Sequence, residues 1–284
     1  MAKENRITLG RILRLFGIAA KMDLMWLMRD TKYAIAGILA DIISNIAVVS
    51  SVFLISVRFG GIGGMSSDEV LFMMAYSTLV TGIFILFGSG NNIHISRIIG
   101  RGQIEHLFLQ PLPLKVQLAT CGFIPFTGGS NFVVGVILMV IAVQRLGLEV
   151  TFGWILMLVA YLLTTMTIIV ARAYLVSTMA FYAPVGAEEI TFLAIDGTWM
   201  LSTFPLSGMP PLLQYGLVTL MPEGLMAWFP ALCLLGRPPL EVGPFYPMLF
   251  AILIATVATL LFRKGMKHYV TKGSNRYVPY GYRR

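Results

Sequence analysis

Five stretches of the 284-residue chain contain no Asp, Glu, Lys or Arg: Val70 to Ser96, Val116 to Gln144, Val150 to Ala171, Gly197 to Pro222 and Val242 to Phe262. Each is about as long as a helix that crosses a hydrocarbon core of about 30 Å. A further apolar run, Tyr33 to Val57, is interrupted only by Asp41. The pattern predicts an all-α integral membrane protein with six transmembrane helices. Their expected limits are about Tyr33 to Val57, Val70 to Ile93, Val116 to Val143, Phe152 to Tyr182, Ile190 to Pro205 and Phe245 to Phe262. In the first of these, Ala36, Ala40 and Ser44 recur at four-residue spacing, which lets another helix approach closely.

Two segments depart from this pattern. Residues 7 to 30 place Arg11, Arg14 and Lys21 at helical spacing, with Leu13, Phe16, Leu24 and Leu27 among the apolar positions. This reads as an amphipathic helix in the inner interface, or more simply as a basic flank that sets topology. Residues 206 to 236 are apolar but broken by Pro210, Pro211, Pro222, Glu223, Gly224 and Pro230. Two pieces of about 12 residues give roughly 18 Å each, too short to span the core. The expectation is a re-entrant helical hairpin that dips in from outside before the last span.

Charge fixes the orientation. Residues 1–32, 97–115 and 263–284 hold 17 of the 21 Lys and Arg residues, and the last block has no acid. The positive-inside bias puts these blocks in the cytoplasm, so both termini are expected there. Counting the hairpin as another span would export the most basic segment. Residues 1–32 intersperse cations instead of showing a basic start and one apolar core, so they are expected to be retained, not cleaved as a signal peptide.

Composition adds that no soluble domain is hidden here. The chain is 57% apolar and 12% charged, with mean hydropathy +0.81, and its polar ends are shorter than a typical domain. The reading is one transmembrane permease domain, 1–284. It comprises a cytoplasmic amphipathic helix (1–32), a cytoplasmic loop (94–115), an extracellular re-entrant segment (206–243) and a basic cytoplasmic tail (263–284). The net charge of +8 sits beside the spans, where anionic lipid accounts for it, and no nucleic-acid partner is expected. Cys121 and Cys233 fall near opposite sides, so no disulfide is expected.

The chemistry of an enzyme is missing. The chain has no GxxxxGK[ST] phosphate loop, no HExxH and no GxSxG, so it carries none of the phosphate-cradling, zinc-binding or nucleophile-elbow devices that those patterns supply. His94, His106 and His268 lie on separate segments, and no cysteine pair has zinc spacing. No catalytic residue, metal or bound cofactor is expected in this chain.

The inner loop reads IGRGQIEHLFLQPLPLKVQ from Ile99 to Gln117: a glycine turn, a short amphipathic helix and two prolines. By itself it is either an ordinary interfacial loop or a docking peg. With two other segments, Phe204 to Gly236 and Phe262 to Tyr277, it resembles the permease subunits of type-2 ABC exporters. The likeness is to the branch of small six-span permeases that pair with a second permease and a separate ATPase, whose bacterial members often carry multidrug or viologen-export labels. The resemblance implies a coupling helix seated on ABC ATPase subunits, with Gly102, Gln103, Glu105, His106 and Phe108 at the contact. It also implies ATP and Mg on the partner and a bacterial plasma (inner) membrane. The family loop often carries an acid and an Arg near this helix, where Ile104 and Gln110 stand here.

Three ionisable residues fall within the expected spans: Asp41, Arg172 and Asp196. Each costs about 2.5 to 3.5 kcal/mol at the bilayer centre, so they need partners or water. Counted along their helices they reach a common layer about 9 to 15 Å from the inner surface. Either Arg172 pairs with one of the aspartates, or it snorkels to the headgroups while both aspartates cap helix ends. Three functions remain open: an ATP-driven exporter of an amphipathic or hydrophobic compound, a secondary ion-coupled carrier using Asp41 or Asp196, and a membrane scaffold that only anchors partners.

Overall fold

The computed structural model describes residues 8–88 and 95–273. The side chains of Cys121, Val185, Glu188, Asp196 and residues 198–201 lie outside that description, as do His94 and residues 274–284. Every regular element described is helical. Helices α1 (Leu9–Arg29) and α2 (Thr31–Phe59) are separated by Asp30 alone. Over its 29 residues α2 buries only Ala34, Val49, Val52 and Ser56, because it is apolar on all sides and touches the bundle along one narrow edge.

Helix α3 (Ser67–Gly88) is the axis of the bundle. It is apolar around its whole circumference because it is surrounded: Val70 to Tyr76, Leu79, Val80 and Phe84 are all buried. Two glycines bring it against its main neighbour. A Cβ on Gly82 would lie 2.4 Å from the backbone of Phe132, and one on Gly135 would lie 2.6 Å from the backbone of Leu79. Small residues allow this backbone-to-backbone packing in membranes, where helix association depends on contact.

The inner loop folds into α4 (Ile95–Gly100), α5 (Ile104–Phe108) and α6 (Leu114–Cys121), after which α7 runs from Ser130 to Leu146. The third span is therefore not the continuous helix expected from Val116 to Val143. Gly122, Pro125, Gly128 and Gly129 fall in the eight-residue break between α6 and α7, and glycine and proline are poor helix formers. The break is held from a distance: Oδ2 of buried Asp23 on α1 accepts the amides of Phe126 (2.8 Å) and Thr127 (3.1 Å). Phe16 of α1 packs edge-on to Phe123, with ring centroids 5.1 Å apart.

Helix α8 (Phe152–Ser177) continues as a 3-10 turn to Phe181, and α9 runs from Pro184 to Ser202. The proline-rich segment forms α10 (Pro211–Thr219), a 3-10 turn (Pro222–Leu225) and α11 (Trp228–Leu234). Its two arms, Pro211–Thr219 and Pro222–Leu234, are bent by 73°. One end of this segment meets the loop between α2 and α3, and the other meets the first turn of α3. Gly208 approaches Gly63 so closely that a Cβ on Gly63 would lie 2.5 Å from the Gly208 amide nitrogen, and Arg237 pairs with Glu69. The last helix, α12 (Tyr246–Lys272), runs well past the expected end at Phe262, so the first part of the basic tail is helical.

Helices α2, α3, α8 with its 3-10 extension, and α12 are each long and apolar enough to cross a membrane, and the bent pair passes the same test when taken together. The shorter α7 is also apolar. The described residues pack around two cores. The larger one centres on α3 and takes in α7, α8, α11 and α12; the smaller lies under the inner loop.

Candidate functional site

The inner loop is a braced projection. Ile95, Ile98, Ile99 and Ile104 point into the small core, where they meet Leu118, Phe181, Ala187 and Tyr269. Gly102 adopts φ +69°, a left-handed conformation that favours glycine, and so turns the chain from α4 into α5. Gln117 on α6 donates from Nε2 to the carbonyls of Leu107 (2.9 Å) and Leu112 (2.6 Å), tying the far side of the loop down. Helix α5 thus presents one face inward and one outward. Ile104 is buried, whereas Gln103, Glu105, His106 and Phe108 are exposed. Leu109, which follows, is 84% exposed. An apolar tip on a braced loop is a surface suited to a protein partner. The hydroxyl of Tyr269 on α12 donates to Oε1 of Glu105 at 3.1 Å, linking this tip directly to the last helix.

Of the three ionisable residues expected to share a layer inside the membrane, the structure describes the side chains of Asp41 and Arg172. Arg172 on α8 pairs through Nη1 with Oε1 of Glu223 at 2.6 Å. Glu223 sits at the bend between α10 and α11 and is 2% exposed. Asp41 is exposed on α2 and has no ion-pair partner among the described residues; its carbonyl accepts from Asn45 at 2.8 Å. The Arg172–Asp41 pairing is therefore not formed, because α2 turns Asp41 away from the bundle. Asp196 belongs to α9, but its side chain lies outside the described residues. Cys233 is a free thiol, and Cys121 also lies outside the side-chain description. Among the described residues no group of three His, Cys, Asp or Glu side chains could hold a metal ion.

Residues 42–273 match the family described as ABC-2 family transporter protein. The chain belongs to that family. No curated protein and no solved structure matches it.

The match extends from the first half of α2 through α12, taking in the braced loop and the bent segment. As an ABC-2 permease, the chain is the membrane-spanning subunit of an ABC transporter, and family membership implies an ATPase subunit as its partner. Two residues that position the permease's parts were not singled out by sequence. Asp23 stands on a basic amphipathic helix, where an acid looks like ordinary solvated surface. Glu223 stands in a run of helix breakers, where it reads as part of a turn. Its only sequence signal was that it is a carboxylate set deep within an apolar segment.

Proposed function

We propose that this ABC-2 permease is the passive half-conduit of an ATP-driven exporter for an amphipathic or hydrophobic compound, drug-like or lipid-like. In this reading the chain itself hydrolyses nothing, and separate ATPase subunits bind ATP and Mg and grip residues 102–109. The observation that carries it is the exposed pair Phe108–Leu109 on a loop whose other face is locked into a buried core. A rigid lever of this kind can transmit the closure of a motor to α8, α9 and α12, which contribute to the same core. Motor binding must favour inward and outward states unequally for the lever to move anything.

A six-span topology with both ends in the cytoplasm, in the inner membrane of a bacterium, accounts for the rest. The spans are α2, α3, the broken pair α6 and α7, α8, α9 and α12. The segment from Gly208 to Arg237 meets the α2–α3 loop at one end and the adjoining first turn of α3 at the other, which supports an outer re-entrant hairpin instead of a traverse. Helix α1 leaves Leu9, Leu13, Met22 and Met25 uncovered, as an interfacial helix on lipid would. On α2, Ala36, Ala40 and Ser44 are uncovered, which suits packing against a second permease chain, like or unlike. For the ion-coupled carrier, Asp41 is exposed on α2 instead of facing the bundle, which disfavours it as the ion-binding group.

The test is co-purification. Phe108→Asp combined with Leu109→Asp changes two exposed side chains and leaves the supporting core intact. Loss of a bound ATPase, with the permease still monodisperse, is the expected result. An undiminished ATPase complex, or transport driven by a proton gradient without ATP, would overturn the proposal.

A further inference from the structure

An apolar groove of about 550 Å³ opens between α6, α8 and α12. Its walls include Leu118, Leu163, Met166, Val170 and Ala255, and its lining ends at Tyr174, Phe262, Lys115 and Arg263. A second cavity shares Leu163, Thr167, Ala255, Thr259 and Arg263 with it and continues along α8 and α12 to Met248. Of the two threonines on the wall, Thr167 and Thr259, the first has its hydroxyl already used: Oγ1 of Thr167 donates to the Leu163 carbonyl at 2.8 Å. The groove is therefore apolar along its length and cationic at one end.

Dimensions restrict the occupant. Along α8 the lining runs from Leu163 to Tyr174, about 16 Å of helix, close to the roughly 15 Å that one leaflet contributes to the hydrocarbon core. An acyl chain can lie along that length, and the cations at one end favour an occupant with an anionic head over an apolar partner helix. At the cationic end, Tyr174 and Phe262 pack with ring centroids 5.1 Å apart, and aromatic residues mark the headgroup level of a bilayer. Lys115 and Arg263 are exposed there, and Lys264 and Lys267 follow on α12. Cationic pockets between transmembrane helices on the cytoplasmic side are suited to phosphate-bearing headgroups.

We infer that this groove is a binding site for an anionic phospholipid of the inner leaflet, its phosphate held by Lys115 and Arg263 and an acyl chain laid between α8 and α12. The assignment to the inner leaflet rests on the cytoplasmic placement of the loop proposed above; the lipid site itself does not depend on the ATPase. Because the site joins α6, which supports the coupling loop, to α12, which reaches Glu105, a bound lipid would brace the lever from below.

Full-length permease in nanodiscs of equal phosphatidylglycerol and phosphatidylcholine, released into detergent and weighed by native mass spectrometry, reports the retained lipid. Wild type should keep phosphatidylglycerol in preference. Replacing Lys115 and Arg263 by Gln, singly and together, should lower that preference about fivefold for each cation removed. Thr259→Trp, which fills the groove from an exposed position, should lower retention of both lipids. Excess inorganic phosphate should displace nothing. Equal retention of the two lipids by wild type, or unchanged retention in the double Gln variant, would overturn the inference. So would displacement by phosphate, which would indicate a free-anion site, or efficient disulfide cross-linking of Thr259→Cys between chains, which would indicate a second copy as occupant. An ATPase that fails to co-purify would refute the coupling proposal and leave this site standing.

Discussion

Arg172 on α8 and Glu223 at the bend between α10 and α11 form a buried ion pair, 2.6 Å from Nη1 to Oε1. The pair pins the innermost point of the bent segment to the middle of the bundle. Other polar contacts run along the same seam: Trp154 Nε1 donates to the Leu234 carbonyl (3.1 Å), and Tyr246 donates to the Val218 carbonyl (3.1 Å). Helix α8 is thereby tied to this segment from Trp154 near its start to Arg172 near its end.

Removing one member of a buried pair strands the other, a loss of about 3–5 kcal/mol, whereas replacing both by apolar residues of similar size is often neutral. Glu223→Ala and Arg172→Ala should each lower the thermal stability of the detergent-solubilised protein sharply. Arg172→Met with Glu223→Leu should melt closer to wild type than either single change. Additive losses in this cycle would mean that the two side chains do not interact.

Asp23 fastens α1 to the break between α6 and α7. Each hydrogen bond to its charge is worth about 1.5–3 kcal/mol, so Asp23→Ala should release the N-terminal helix while the bundle stays folded. Limited trypsin digestion should then cut at Lys21 and Arg29 at least tenfold faster than in wild type. Unchanged cleavage would show that Phe16 and its aromatic neighbours suffice.

The close approach of α3 and α7 leaves no room for a side chain at Gly82 or Gly135. Gly82→Ala would place a Cβ 2.4 Å from the Phe132 backbone, and overpacking of this kind typically costs 1–3 kcal/mol or more. A lower yield of monodisperse protein on size exclusion is expected, with Gly82→Val worse than Gly82→Ala. At Gly37, where a Cβ meets nothing within 4 Å, the change to Ala should be silent.

Long apolar helices such as α3 and α8 were legible because membrane insertion is written in what is absent: runs without charge such as Val150 to Ala171 suit a helix buried in lipid or protein. The break at Gly122 to Gly129 was hidden by the same logic. Those residues are uncharged too, and counting charges does not distinguish a broken span from a straight one, although Pro125 and the paired glycines carried the signal. The outward face of α5 followed from its amphipathic spacing. The pairing of Arg172 with Glu223 did not, because Glu223 lies among the helix breakers of the expected re-entrant hairpin and nothing local shows that it turns towards α8. Long-range pairs such as Asp23 with Thr127 need the fold itself, since nothing local marks either residue.

The central claim is that a soluble motor grips the tip of the inner loop. A photo-cross-linking amino acid at Phe108, introduced in cells and activated before lysis, measures this directly, because the exposed side chain can be replaced without disturbing Ile104 beneath it. The account predicts one dominant adduct, with a nucleotide-binding ATPase subunit, lost when the cross-linker is moved to buried Ile99. Adducts with lipid alone, or labelling of position 108 by a membrane-impermeant reagent from outside the cell, would contradict it.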